Sequence, residues 1–161
     1  MTHSTPGLAP RRPFRESKTR AWGEMTRPDD AVPVELSHRI QDDPWVKSLG
    51  IEFLELRRGY CRLALQLQPY MVNFQGAPHG GVLFSLADAA FGAACNSHGE
   101  PAVALSVTIS YLAPPAPHTR LVAEARERRQ GRRAGFYDIT VSDQEGVVVA
   151  AVHCVSHRVG G

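Results

Sequence analysis

Asn73-Phe-Gln-Gly-Ala-Pro-His79-Gly80-Gly81-Val82-Leu-Phe-Ser-Leu-Ala-Asp88-Ala-Ala-Phe-Gly-Ala-Ala-Cys95-Asn96 is the stretch whose reading decides the fold. From Val82 to Cys95 the residues are strong helix formers, with Asp88 as the sole charge and Ser85 as the sole other polar side chain. A surface helix shows an apolar stripe and a charged face, so a helix that is apolar all round is expected to be surrounded by protein. Its carboxylate then needs a reason, because burying an unpaired charge is costly. In front of the helix, the Gly80-Gly81 pair lets backbone approach a ligand closely, and the N–H groups of the first turn point outward to meet it.

Outward from this helix the pattern changes period. On the N-terminal side, apolar residues at 36, 40, 45, 46 and 49 predict one or two short helical turns interrupted by Pro44 and ended by Gly50. Ile51 to Leu56 reads as a strand and Arg57-Arg58-Gly59 as a turn; Cys61, Leu63, Leu65 and Leu67 then alternate with more polar residues, which makes a hairpin. Beyond the break at Ser97-His98-Gly99-Glu100-Pro101, the apolar set Val103, Leu105, Val107, Ile109 and Tyr111 has the cleanest period of two in the chain. Strands of about 119–129, 135–142 and 147–156 follow, separated by Pro-rich or Gly-containing turns. One helix among about six sequential strands must lie against one face of an antiparallel sheet, and a twisted sheet of that size can curl around it. The fold class is α+β.

Composition narrows the function. The formal charge is +2, but residues 1–27 hold six of the 18 basic residues against two acidic ones, so the remainder is close to neutral. That gives no support to nucleic-acid binding. Residues 1–34 are rich in Pro, Arg, Gly and Thr without periodicity and read as a disordered extension, leaving 35–161 as the folded domain. The three cysteines, Cys61, Cys95 and Cys154, sit in apolar runs and read as buried free thiols of a reducing compartment. No apolar run reaches the ~18–20 residues needed to span a bilayer. Arg11-Arg12-Pro-Phe lacks the apolar stretch an export signal needs behind it, so the expected location is cytoplasmic. His98, His118, His153 and His157 show no metal-ligand spacing, and neither metal nor cofactor is expected.

The run Asn73-x5-His79-Gly80-Gly81-x6-Asp88, followed by Ala-Phe and Cys-Asn-Ser, together with the ending Ser156-His-Arg-Val-Gly-Gly161, resembles the PaaI group of acyl-CoA thioesterases from bacterial phenylacetate degradation. These have the hotdog fold, in which a curled sheet wraps one long helix. The resemblance spans roughly residues 36–161. It implies that Asp88 is the catalytic carboxylate, that the Gly80 N–H polarises the thioester carbonyl, and that Asn73 and His79 position carboxylate, water and substrate. It implies phenylacetyl-CoA and its hydroxylated relatives as substrates, CoA being part of the substrate.

Elementary chemistry reaches the same place. A thioester carbonyl becomes an oxyanion in the transition state and needs preorganised N–H donors, which a Gly80-Gly81 helix start supplies. The carbonyl carbon needs a carboxylate nucleophile or a water activated by one, and Asp88 serves either role. A CoA thiolate leaves without a strong acid, so a Ser-His-Asp arrangement is not required. Eight residues of helix separate Gly80 from Asp88 by about 12 Å, too far for both to act on one carbonyl. Two antiparallel helices across a two-fold axis bring Gly80 of one subunit to Asp88 of the other, so the site is expected to be shared in a homodimer, itself paired into a tetramer.

Blander roles stand beside these. Asp88 could pair with an arginine, His79 could merely start the helix, and Asn73 could merely form a turn. Arg132 and Arg133, with Arg128 and Arg129, flank a turn and are candidates for the CoA phosphates. Ser106, on the strand after the helix, is a candidate for holding the water. The competing functions are a non-catalytic acyl-CoA binding protein and a hotdog enoyl-CoA hydratase. The second usually needs a His close to the Asp within the helix, and none follows Asp88.

Overall fold

The computed structural model describes residues 30–159. The expected extension therefore lies outside the described residues except for 30–34, where the Asp30 carbonyl accepts the Arg58 N–H at 3.0 Å and the Ala31 carbonyl the Arg58 Nε–H at 3.3 Å.

The chain order is α1 (Val34–Gln41), α2 (Pro44–Ser48), β1 (Glu52–Arg57), β2 (Tyr60–Gln66), α3 (Gly80–Asn96), β3 (Ala102–Tyr111), β4 (Arg120–Gln130), β5 (Ala134–Ser142) and β6 (Val148–Arg158). The strands form one antiparallel sheet in the order β1-β2-β4-β5-β6-β3, with α3 against its inner face. Pro44 opens α2 rather than interrupting a helix. It occupies the first turn, where its missing N–H costs nothing, and the Asp43 carboxylate takes the N–H groups of Trp45 and Val46 at 2.7 and 3.2 Å.

The core is the seam between helix and sheet. Leu83, Leu86, Ala87, Ala90, Phe91 and Ala94 of α3 meet Leu63 and Leu65 of β2, Leu121, Ala123 and Ala125 of β4, Tyr137, Ile139 and Val141 of β5, and Val152 of β6. Phe91 and Tyr137 pack edge-on with ring centroids 5.3 Å apart. At the far end of α3, Ser97 Oγ accepts the Gly59 N–H at 2.7 Å, and Glu127 meets His98 at 2.5 Å and the Tyr137 hydroxyl at 3.0 Å.

Two expectations change. In β3 the apolar alternation does not all face the core, because the register shifts between Ala104 and Ser106 and places Val103 opposite His157 on the outer face. Val107 and Ile109 still pack inward, whereas Val103 and Leu105 are 52% and 66% exposed. β3 is also the sheet edge, so one side of its backbone has no strand beside it. The second change concerns α3, which is not enclosed on all sides. Val82, Ser85, Asp88, Ala89, Gly92 and Asn96 form a half-open stripe at helical spacing, because the sheet covers only the opposite side.

Candidate active site

The loop before α3 is built around two side chains that close on their own backbone. Asn73 Oδ1 accepts the N–H groups of Gln75 and Ala77 at 2.9 and 3.2 Å, while the Asn73 carbonyl accepts from Gly76. Its oxygen is therefore spent on the turn, and its Nδ2 has no partner among the described residues. His79 is the N-cap of α3, and its Nδ1 accepts the Gly81 N–H at 2.9 Å. The helix begins at Gly80, two positions before the apolar run, because this cap starts it there.

Capping leaves one donor free. The Gly81 N–H is taken by His79, whereas the Gly80 N–H has no partner among the described residues and faces out of the first turn. Gly80 is closely packed: a Cβ there would lie 3.2 Å from Cζ and Oη of Tyr111, so the ring would have to give by a few tenths of an ångström. The Tyr111 hydroxyl donates to the Gly80 carbonyl at 3.1 Å, tying the Gly80–Gly81 peptide to the end of β3. Sequence reasoning missed Tyr111, whose signal is its position at the end of the strand that follows the helix.

Asp88 lies on the half-open stripe. It is half-buried, its carboxylate has no hydrogen bond or ion pair among the described residues, and burial raises its pKa above the ordinary aspartate value. Among the described residues no arginine pairs with it. Asp88 instead lines a cavity of about 680 Å³ that α3 shares with α1, α2 and Phe53 of β1. The wall from α3 consists of Asp88, Ala89, Gly92, Ala93 and Asn96, so the cavity runs from the carboxylate toward the C-terminal end of the helix. Apolar residues line most of the cleft, with Asp88, Asn96, Arg39, Asp42 and Asp43 as its polar groups, and its size suits a small-molecule acyl or aryl group.

The remaining candidates lie elsewhere. Ser106 is exposed and pairs with Val155, on the sheet face away from α3, so the structure does not bring it beside Asp88 of its own chain. The reason is strand alternation, since its neighbour Val107 faces the core. Arg132 and Arg133 are exposed in the β4–β5 turn, at the end of the molecule where α3 finishes, and so are not joined to Gly80 within one chain. Cys95 and Cys154 are buried free thiols whose pKa values burial pushes up to about 12, which leaves them inert near pH 7. Among the described residues no group of three or more His, Cys, Asp or Glu side chains is placed to hold a metal, and no helix is long and apolar enough to cross a membrane.

One long helix held in a six-stranded antiparallel sheet, opening on Gly-Gly and carrying a lone carboxylate, defines a hotdog-fold protein of the thioesterase class. The Thioesterase superfamily matches residues 75–150. The acyl-coenzyme A thioesterase PaaI of Escherichia coli K12 is 40% identical over 121 residues, which are 75% of this chain and 86% of that protein. The solved structure of the E. coli PaaI protein from the phenylacetic acid degradation operon superposes with a TM-score of 0.76 at 39% identity, covering 79% of this chain and 93% of that one. A hypothetical thioesterase from Streptococcus pneumoniae, solved with coenzyme A, superposes with a TM-score of 0.66 at 25% identity over 71% of this chain and 97% of that one. This chain belongs to the thioesterase superfamily and is a thioester hydrolase of PaaI type.

Proposed function

We propose that the protein hydrolyses acyl-CoA thioesters of the phenylacetyl and hydroxyphenylacetyl type to the free acid and CoA, without a cofactor, in the cytoplasm. The observation that carries this is Asp88, an unpartnered, half-buried carboxylate facing a cavity of about 680 Å³. In the reading proposed, the thioester carbonyl oxygen accepts the free Gly80 N–H, which strengthens as the oxygen becomes negative. Asp88 takes a proton from water as the water oxygen bonds to the carbonyl carbon, and the C–S bond breaks to release the thiolate; or Asp88 attacks that carbon itself, the thiolate leaves, and water hydrolyses the resulting mixed anhydride to the free acid and the Asp88 carboxylate. His79 and Asn73 act by shaping the loop that presents Gly80.

Gly80 and Asp88 act on one carbonyl only if they come from different subunits, since about 12 Å of helix separates them in one. The unpaired edge of β3, with exposed Val103, Leu105 and Tyr111, and the half-open stripe of α3 supply surface for a second copy, and pairing of dimers gives a tetramer. The relatives named above support the substrate class: one is called an acyl-coenzyme A thioesterase and another was solved with coenzyme A.

The test is thiol release measured across aryl and alkyl CoA esters, with Asp88→Asn as the variant. Turnover that falls on the order of 10²-fold in the variant is expected. Binding without thiol release by the native protein would assign it to acyl-CoA sensing, and a loss under about threefold would remove Asp88 from the chemistry.

A further inference from the structure

We infer that Arg39 selects the acyl group, favouring acyl chains that carry an oxygen acceptor at the end far from the thioester. This rests on the reading of the Asp88 cavity as the acyl site.

The five α3 positions lining the cavity, from Asp88 to Asn96, span about 12 Å along the helix axis. None comes from the Gly80 end, so the space lies beyond the carboxylate rather than toward the free N–H. Its walls include Leu36, Ile40, Trp45 and Phe53, which are apolar and suit an acyl arm rather than the polar pantetheine. Arg39, Asp42 and Asp43 are the charged lining residues besides Asp88, and all three are exposed, which places them at the rim.

The two rim carboxylates are already engaged. Asp42 pairs with Lys47, and Asp43 caps α2 through Trp45 and Val46. Arg39 has no hydrogen bond or ion pair among the described residues. An acyl group long enough to reach the rim covers this guanidinium. If its end is apolar, the cation loses water and gains nothing in return. If its end is a carboxylate or a hydroxyl, the planar fork donates to that oxygen, with the carboxylate able to take both arms. A substrate of about the cavity's length with a distal oxygen is therefore bound better than its unsubstituted counterpart, and the difference resides in Arg39.

The experiment measures kcat/KM by thiol release for two matched pairs, adipoyl-CoA against hexanoyl-CoA and 4-hydroxyphenylacetyl-CoA against phenylacetyl-CoA, in the native protein, Arg39→Met and Arg39→Lys. The methionine keeps the stem and removes the fork. Circular dichroism and melting of each variant check the fold. The expected result is that Arg39→Met lowers the oxygenated-to-plain ratio about tenfold or more in the pair whose oxygen reaches the rim, through KM, with partial recovery in Arg39→Lys. Equal losses with all four esters would mean that Arg39 meets CoA or supports the fold, and would overturn the inference. Ratios unchanged in both pairs would overturn it too, with the parent reading intact. A native protein inactive on every ester would overturn both.

Discussion

If the site is shared, two defective subunits can repair each other by a fixed amount. Gly80→Ala damages the half that holds the oxyanion: its Cβ would sit 3.2 Å from the Tyr111 ring, closer than nearly all real contacts, so the ring or the peptide must shift by a few tenths of an ångström. Displacing one such donor costs up to about 10²-fold in turnover. Asp88→Asn damages the other half by a similar or larger factor. Refolded together at equal concentration, the two variants pair at random, and about half the dimers are mixed. Each mixed dimer holds one site with both native residues and one with neither, so about a quarter of all sites recover native turnover. The assay is thiol release before and after co-refolding, with native mass spectrometry of differently tagged chains to count mixed dimers. Mixed dimers whose activity is only the mean of the two variants would refute the shared site, since Gly80 and Asp88 would then act within one chain despite about 12 Å and a turn of about 80° between them.

Asp88→Asn should melt higher than the native protein at pH 7. Burial raises the Asp88 pKa, so the charged form costs stability above that pKa; the gap should close as the pH falls through it and the native carboxylate becomes neutral, and a variant that melts lower at pH 7 would contradict the desolvated carboxylate. Glu127→Gln should behave in the opposite sense. Burial pushes the Glu127 pKa up, but the His98 and Tyr137 hydrogen bonds and the Arg158 charge outweigh it and leave it below 4.5, so the charged form stabilises the fold above 4.5. Losing a charge-assisted network of this kind costs about 1–2 kcal/mol, or roughly 5 °C at neutral pH, and differential scanning calorimetry should show that deficit shrinking as the pH falls below 4.5.

The sequence was informative wherever one residue type has one physical reason to be where it is. A charge inside Leu83–Cys95 had to mark a special position, and Gly-Gly before a helix had to mean close approach. Alternation read the inward face of β2 correctly, Cys61, Leu63 and Leu65 being buried, because both neighbours of that strand are present to hold the register. It failed in β3, where the edge position and a bulge after Ala104 turn Val103 outward. The roles of Tyr111 and Arg39 were not legible, because the alternation that includes Tyr111 speaks of strand faces only and Arg39 follows no pattern. Tyr111 matters through a hydrogen bond to a backbone carbonyl 31 positions earlier, and Arg39 through what its neighbours have already claimed.

The stability of α3 and the chemistry of Asp88 pull in opposite directions, and the fold separates them by face. The side turned to the sheet carries Leu83, Leu86, Ala87, Ala90, Phe91 and Ala94 and holds the helix in place through fully buried contacts. The other side has Ser85, Asp88, Gly92 and Asn96, small or polar, of which Asn96 ties the helix end to β3 through two hydrogen bonds with the Ala102 backbone. A carboxylate there can stay unpartnered because the opposite face already secures the helix. Its desolvation is then a local cost, borne at a position on which the packing of the helix does not depend.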